Sequence, residues 1–193
     1  MAQLHNDHRV VSSDSEELIL VDHDDREIGF LSKAESHDGS GVMHRAFSLF
    51  LFNADGELLL QQRGSGKRLW PGFWSNSCCS HPRRGESMDV ATRRRLRDEL
   101  NIEAQLEFVY KFAYTAAFGT AGSENELCHV YLGSVDDSVR PNDHEIDSIR
   151  FVRPQDLTRE QTESPAQFTP WFMQEWQTLL QEHADKLARY SQL

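Results

Sequence analysis

Two groups of residues in this sequence are of types that do chemistry. The first is three histidines, His37, His44 and His81, with two glutamates two positions apart, Glu124 and Glu126. Side chains two apart on an extended chain face the same side, so one strand end can offer both carboxylates to one ion. Three imidazoles with two carboxylates suit a divalent ion of borderline hardness, Mn2+, Zn2+ or Mg2+, in a roughly octahedral site. Taken singly, each histidine reads as a surface residue, and no spacing brings these segments together. The second group lies in "WPGFWSNSCCSHPRRGES", Trp70 to Ser87, where two thiols, two tryptophans and His81 sit in a stretch with little periodicity. A desolvated, well-aimed thiol can move a proton at carbon, although most free cysteines are inert core residues. Adjacent cysteines on an extended chain point opposite ways, so at most one of Cys78 and Cys79 faces a given site. The pattern leaves that choice even. Glu126 and Tyr114 are candidate partner acids and, equally, ordinary strand residues.

The elements that must position these groups read as follows. Glu17–Asp22 and Ala46–Asn53 are apolar strands, the first followed by a turn near His23–Arg26. Asp55-Gly56 between apolar runs is a hairpin signal, and the returning strand ends near Gln62. Lys67 to Arg84 is a loop. Ser87 is an N-cap for a helix over Met88–Leu100, which Asn101 ends in the left-handed conformation. Gln105–Thr115, Glu126–Val135 and Asp147–Arg153 read as strands. Pro165 and Pro170 precede a final helix to about Tyr190 with the stripe Phe172, Trp176, Leu179, His183 and Leu187. Strands with two principal helices that do not alternate strictly predict an α/β sandwich, a mixed sheet between helices.

The chain of 193 residues carries a formal net charge of −11, which argues against nucleic acid as a partner. No apolar run is long enough to span a bilayer. The three cysteines are odd in number and form no C-x-x-C pair, against a disulfide framework or a structural zinc site. Residues 1–16, polar and partly acidic, lack the marks of a signal or transit peptide. The expectation is a mobile tail on a cytoplasmic, monomeric protein, with one domain over residues 17–193. The charge is uneven: Arg63, Lys67, Arg68, Arg83, Arg84, Arg94 and Arg95 make a candidate anion site inside an acidic chain, whereas Arg93 and Arg97 read as a solvated helix face. The helix carries Glu86 before it and Asp98-Glu99 near its end. These read either as solvated charges or as carboxylates of which one, beside a diphosphate, anchors a hard ion such as Mg2+.

"WPGFWSNSCCSHP", "HDGSGVMHRAFS", "YKFAY" and "ENELCHV" occur in this order along most of the chain, roughly Leu18 to Trp171. Together they strongly resemble the signatures of the type 1 isopentenyl diphosphate isomerases, a branch of the Nudix fold. The Nudix hydrolase pattern is G-x5-E-x7-R-E-U-x-E-E-x-G-U, with U apolar. Glu86, Arg94, Leu96, Asp98, Glu99 and Ile102 fit it, whereas Ser80 and Asn101 replace its glycines and Arg95 a glutamate. An arginine where a hydrolase gathers Mg2+ weakens metal-assisted hydrolysis and favours binding a diphosphate intact. The resemblance implies that His37, His44, His81, Glu124 and Glu126 hold one metal. It implies that Glu99 and the Cys79 backbone carbonyl hold a Mg2+ that touches the substrate diphosphate. By the same resemblance Lys33, Arg63, Lys67, Ser80 and Arg95 bind phosphate, and Cys79 and Glu126 are the acid/base pair, with Tyr114 bonded near Glu126. Trp171 covers the apolar end. The implied reaction is the reversible conversion of isopentenyl diphosphate to dimethylallyl diphosphate.

Overall fold

A computed structural model describes residues 10–136 and 138–191. Among the described residues, nine strands form one mixed sheet: β1 (Glu17–Val21), β2 (Glu27–Ser32), β3 (His44–Phe52), β4 (Leu58–Arg63), β5 (Trp74–Ser75), β6 (Cys78–Ser80), β7 (Leu106–Ala117), β8 (Ser123–Ser134) and β9 (Ile146–Val152). The helices are α1 (Lys33–Ser36), α2 (Met88–Arg95), α3 (Pro154–Glu163), α4 (Pro170–Glu182) and α5 (Ala184–Leu187). α2 runs on into a wider, π-type turn over Leu96–Leu100 and stops at Asn101, whose φ of 56° is left-handed.

β3 is apolar on both faces, as a central strand must be when both faces are covered. Phe47, Leu49 and Leu51 pack with Leu96 and Leu100 under α2. Ala46, Phe50 and Phe52 pack with Phe172, Trp176 and Leu179 of α4. The sheet therefore lies between helices, as the sequence pattern predicts. β3 pairs parallel with β8 from His44↔Glu126 to Phe52↔Ser134. It also pairs antiparallel with β6 through Ser48↔Cys79. These two registers position the site.

Six elements differ from what the sequence predicts. β2 and the short β5 and β6 were not foreseen, the last two because a two- or three-residue strand shows no alternation. β8 begins at Ser123, three residues before the expected Glu126. α3 is a third principal helix; its polar sequence buries only Pro154, Leu157 and Gln161, so it shows little apolar stripe. The final helix breaks at His183, where the ring leaves the stripe and stacks on Tyr110 with centroids 4.8 Å apart. Of the expected tail, the first nine residues lie outside the described residues. From Val10 onward the chain touches the body: Arg95 donates to the Val11 carbonyl at 3.1 Å, and Lys33 donates to Ser12 Oγ.

Candidate active site and metal centre

The β3–β8 register sets His44 beside Glu126, and the β7–β8 register sets Tyr114 on its other side. Glu124 follows on the same face, His37 comes from the end of α1, and His81 follows β6 directly. The five ligand atoms of His37, His44, His81, Glu124 and Glu126 all lie within 4.8 Å of one another. His81 Nε2 is 2.7 Å from Glu126 Oε1, and His37 Nε2 is 2.8 Å from Glu124 Oε2. The outer ring nitrogens are anchored. His37 Nδ1 meets the Lys33 carbonyl at 2.6 Å and His44 Nδ1 meets the Val42 carbonyl at 2.7 Å. Both bonds leave Nε2 as the inward lone pair, the arrangement a metal-bound imidazole needs. His44 Nε2 is buried without a hydrogen-bond partner. Burial, then the neighbouring His44 and His37, hold His81 well below the usual imidazole range, in the neutral form that ligates. The donor set fits a divalent ion. Gly122 makes the approach possible, because a Cβ there would stand 2.3 Å from the His37 carbonyl oxygen.

β6 resolves the adjacent thiols. Cys78 is wholly buried and turns toward α2, its Sγ 3.6 Å from Glu99 Oε1. Cys79 points the other way, into a cavity of about 410 Å³ that it shares with Glu126, Tyr114 and Trp171. Burial pushes the Cys79 thiol up to about 12, although Arg63 opposes the shift. It is therefore a thiol, not a thiolate, near neutrality. The Tyr114 hydroxyl donates to Glu126 Oε2 at 2.6 Å. Burial raises the Glu126 carboxyl, but the neighbouring His44, 3.6 Å away, and then the bond from Tyr114, outweigh it and the net direction is down. Trp171 stands edge-on to Trp70, and the Arg63 guanidinium lies 5.2 Å from its ring centroid. Trp70 itself is a bulky residue at φ 47°, a strained conformation, and its carbonyl and that of Leu69 accept from Arg63.

Lys33, Arg63, Lys67, Ser80 and Arg95 line the same cavity. Burial, then Lys67 and Arg95, lower Lys33 to about 8. Two expected site residues stand behind the cavity wall and do not line it: His44, which reaches the metal centre from beneath, and Glu99. Arg95 holds Glu99 with Nε at 2.7 Å and a second nitrogen at 2.5 Å, both groups almost wholly buried.

Residues 42–172 match the family model of the NUDIX domain. The chain is 41% identical over 175 residues to isopentenyl-diphosphate Delta-isomerase 1 of Photorhabdus laumondii, covering 89% of this chain and 99% of that protein. It is 42% identical to isopentenyl-diphosphate Delta-isomerase of Serratia proteamaculans, with 92% and 97% covered. The chain belongs to the isopentenyl-diphosphate Delta-isomerase family, within the Nudix fold. A crystal structure of a Deinococcus radiodurans protein shares the fold at a TM-score of 0.64 and 24% identity, over 77% of this chain and 90% of that one.

Two carboxylates of this isomerase-family chain escaped the sequence reading. Glu145 lies against the cationic cavity in "NDHEI", a stretch that carries no signal of it. Glu175 was visible in principle, as a charge on the α4 stripe four residues after Trp171. It is wholly buried, its Oε1 accepts from the Cys128 thiol at 3.5 Å, and its Oε2 has no partner. Burial raises this carboxyl from the ordinary 4.5 to about 8. The unfolded chain gives up the proton in that window while the folded chain keeps it. The group's contribution to stability is therefore full below pH 4.5 and is lost as pH rises toward about 8. Glu175→Gln should remove the slope and gain on the parent by about 1.4 kcal/mol per pH unit across the window. Urea melts of both proteins at about pH 5.5 and about pH 7.5 measure it. A difference that does not change with pH would mean that Glu175 ionises normally.

Proposed function

We propose that this chain interconverts isopentenyl diphosphate and dimethylallyl diphosphate, with Cys79 and Glu126 as the acid/base pair. The observation that carries the reading is that the Cys79 thiol and the Glu126 carboxyl open into one cavity whose wall also holds Lys33, Arg63, Lys67 and Arg95. The cations and Ser80 bind the diphosphate and fix the hydrocarbon end between the two groups. One group gives a proton to the terminal alkene carbon, leaving a tertiary cation. The other removes a proton from the neighbouring methylene nearer the oxygen, and the double bond re-forms there. No bond to phosphate is broken. The alkene is a very weak base, so the cation needs a dry pocket and an aromatic face. Trp171, edge-packed by Trp70, supplies both. Tyr114 holds Glu126 in place through its hydroxyl. The ion at the histidine–glutamate centre, Mn2+, Zn2+ or Mg2+, supplies fixed positive charge beside Glu126. A Mg2+ carried with the diphosphate is expected at Glu99 and the Cys79 carbonyl.

The reading includes a monomeric, cytoplasmic protein whose partner is a small diphosphate, with neither nucleic acid nor membrane involved. No helix among the described residues is long and apolar enough to cross a membrane. Arg95, bonded to Glu99, sets a cation where a hydrolase needs clustered carboxylates, which speaks against diphosphate cleavage. Incubation with isopentenyl diphosphate in deuterated water tests the proposal. The expected product is dimethylallyl diphosphate with deuterium in the newly formed methyl group and no free phosphate. Phosphate release without rearrangement would replace this reading with a hydrolase.

A further inference from the structure

Every cation expected to meet the diphosphate is already engaged, and one of the partners is an anion fixed at the phosphate end of the cavity. Glu145 is only 2% exposed, pairs with Lys67 and lies 3.6 Å from an Arg95 nitrogen. Its backbone is held on both sides. The Glu145 carbonyl accepts from Gly64 N–H at 2.9 Å, and a Cβ at Gly64 would stand 2.9 Å from that oxygen. The Glu145 N–H bonds to the Asn142 carbonyl at 3.0 Å, and Asn142 N–H bonds to the Glu99 carbonyl at 2.8 Å. The loop is thus tied both to the end of β4 and to the turn after α2. Any phosphate oxygen that reaches Lys67 and Arg95 must share them with this carboxylate, and like charges drawn to the same cations repel.

We propose that Glu145 is a resident counter-anion that makes the site select the magnesium complex of the diphosphate over the bare anion. The inference rests on the reading of this cavity as a diphosphate site. A buried carboxylate between Lys67 and Arg95 lowers the positive charge available to the substrate. A bare diphosphate, strongly negative, meets that carboxylate unshielded. A diphosphate that carries Mg2+ brings its own neutralising charge and loses little. Selection by repulsion is a known route to specificity.

The test is calorimetric titration of the holoenzyme, desalted of free metal, with inorganic pyrophosphate and with magnesium pyrophosphate. The parent should bind the magnesium complex at least about tenfold more tightly. Glu145→Gln should tighten binding of bare pyrophosphate by at least about tenfold and leave the magnesium complex nearly unchanged, so that the preference narrows by that factor. Equal weakening for both ligands would show that Glu145 only positions Lys67 and Arg95, and would overturn the proposal, as would unchanged binding of both. Glu145→Asp, which keeps the charge, must keep the preference. Its loss there overturns the proposal even if Glu145→Gln fails to fold. A parent protein that binds neither ligand would overturn the diphosphate reading itself, and this inference with it.

Discussion

Cys79→Ala is expected to lower kcat by about 10²- to 10⁴-fold, the range a positioned proton-transfer group contributes, while pyrophosphate still binds. The two thiols differ in what they face, not in their chemistry. Cys79 lies on the cavity side of β6, opposite Ser48 in the strand register, with an Arg63 nitrogen 3.9 Å from its sulfur. Its elevated pKa keeps the proton on sulfur and ready for transfer to the alkene carbon or, in the reverse direction, for return. Alanine removes the proton carrier and leaves Arg63, Lys67 and Arg95 in place, so affinity for the diphosphate should persist. Cys78→Ala is the control. That sulfur is sealed against α2 beside Glu99, so its loss should cost about 1 kcal/mol of stability through a small cavity and leave most of the activity. Steady-state kinetics with calorimetry of pyrophosphate binding measure both effects. Comparable loss of kcat in the two variants would refute a single catalytic thiol.

Removal of divalent metal should abolish turnover and also soften the fold, and both effects should reverse when metal returns. The reason lies in the cluster that His37, His44, His81, Glu124 and Glu126 form on four separate segments of chain. Without a cation, two buried carboxylates and three imidazoles share a space in which the His44 Nε2 lone pair has no partner. Burying polar groups without partners is costly, and a bound ion satisfies all five donors at once. Binding only to the folded state stabilises it by about 2.7 kcal/mol when free metal is at about a hundred times its Kd, which a melting curve resolves readily. Elemental analysis should show less bound metal in His37→Ala and in His81→Ala, with lower melting temperatures to match. Full activity in rigorously metal-free protein would remove the ion from the reaction. Unchanged melting after chelation would mean that the five side chains meet without binding an ion.

What the sequence determined alone is the local geometry, because nearest neighbours along the chain set it. Asp55-Gly56 makes its hairpin with Gly56 at φ 73°, and the Asn53 side chain accepts from Asp55 and Glu57. Ser87 caps α2 by accepting from Val90 N–H, and Asn101 ends the following turn as a left-handed residue should. Period-two alternation puts Glu124 and Glu126 on one face of β8 whatever that strand pairs with. The Nudix fold and the isomerase family were legible too, because several motifs recur in order. Only the tertiary structure decided which of these local pieces meet. The parallel register that sets His44 against Glu126 joins segments some eighty residues apart, and such pairing leaves no mark in either segment. The choice between Cys78 and Cys79 hung on the register of a three-residue strand, since a one-residue slip would exchange their faces. Glu145 and Glu175 look like surface acids in sequence. Burial made them otherwise, and burial is a property of the packed chain, set by how the loop before β9 meets the end of β4 and how α4 closes over the sheet.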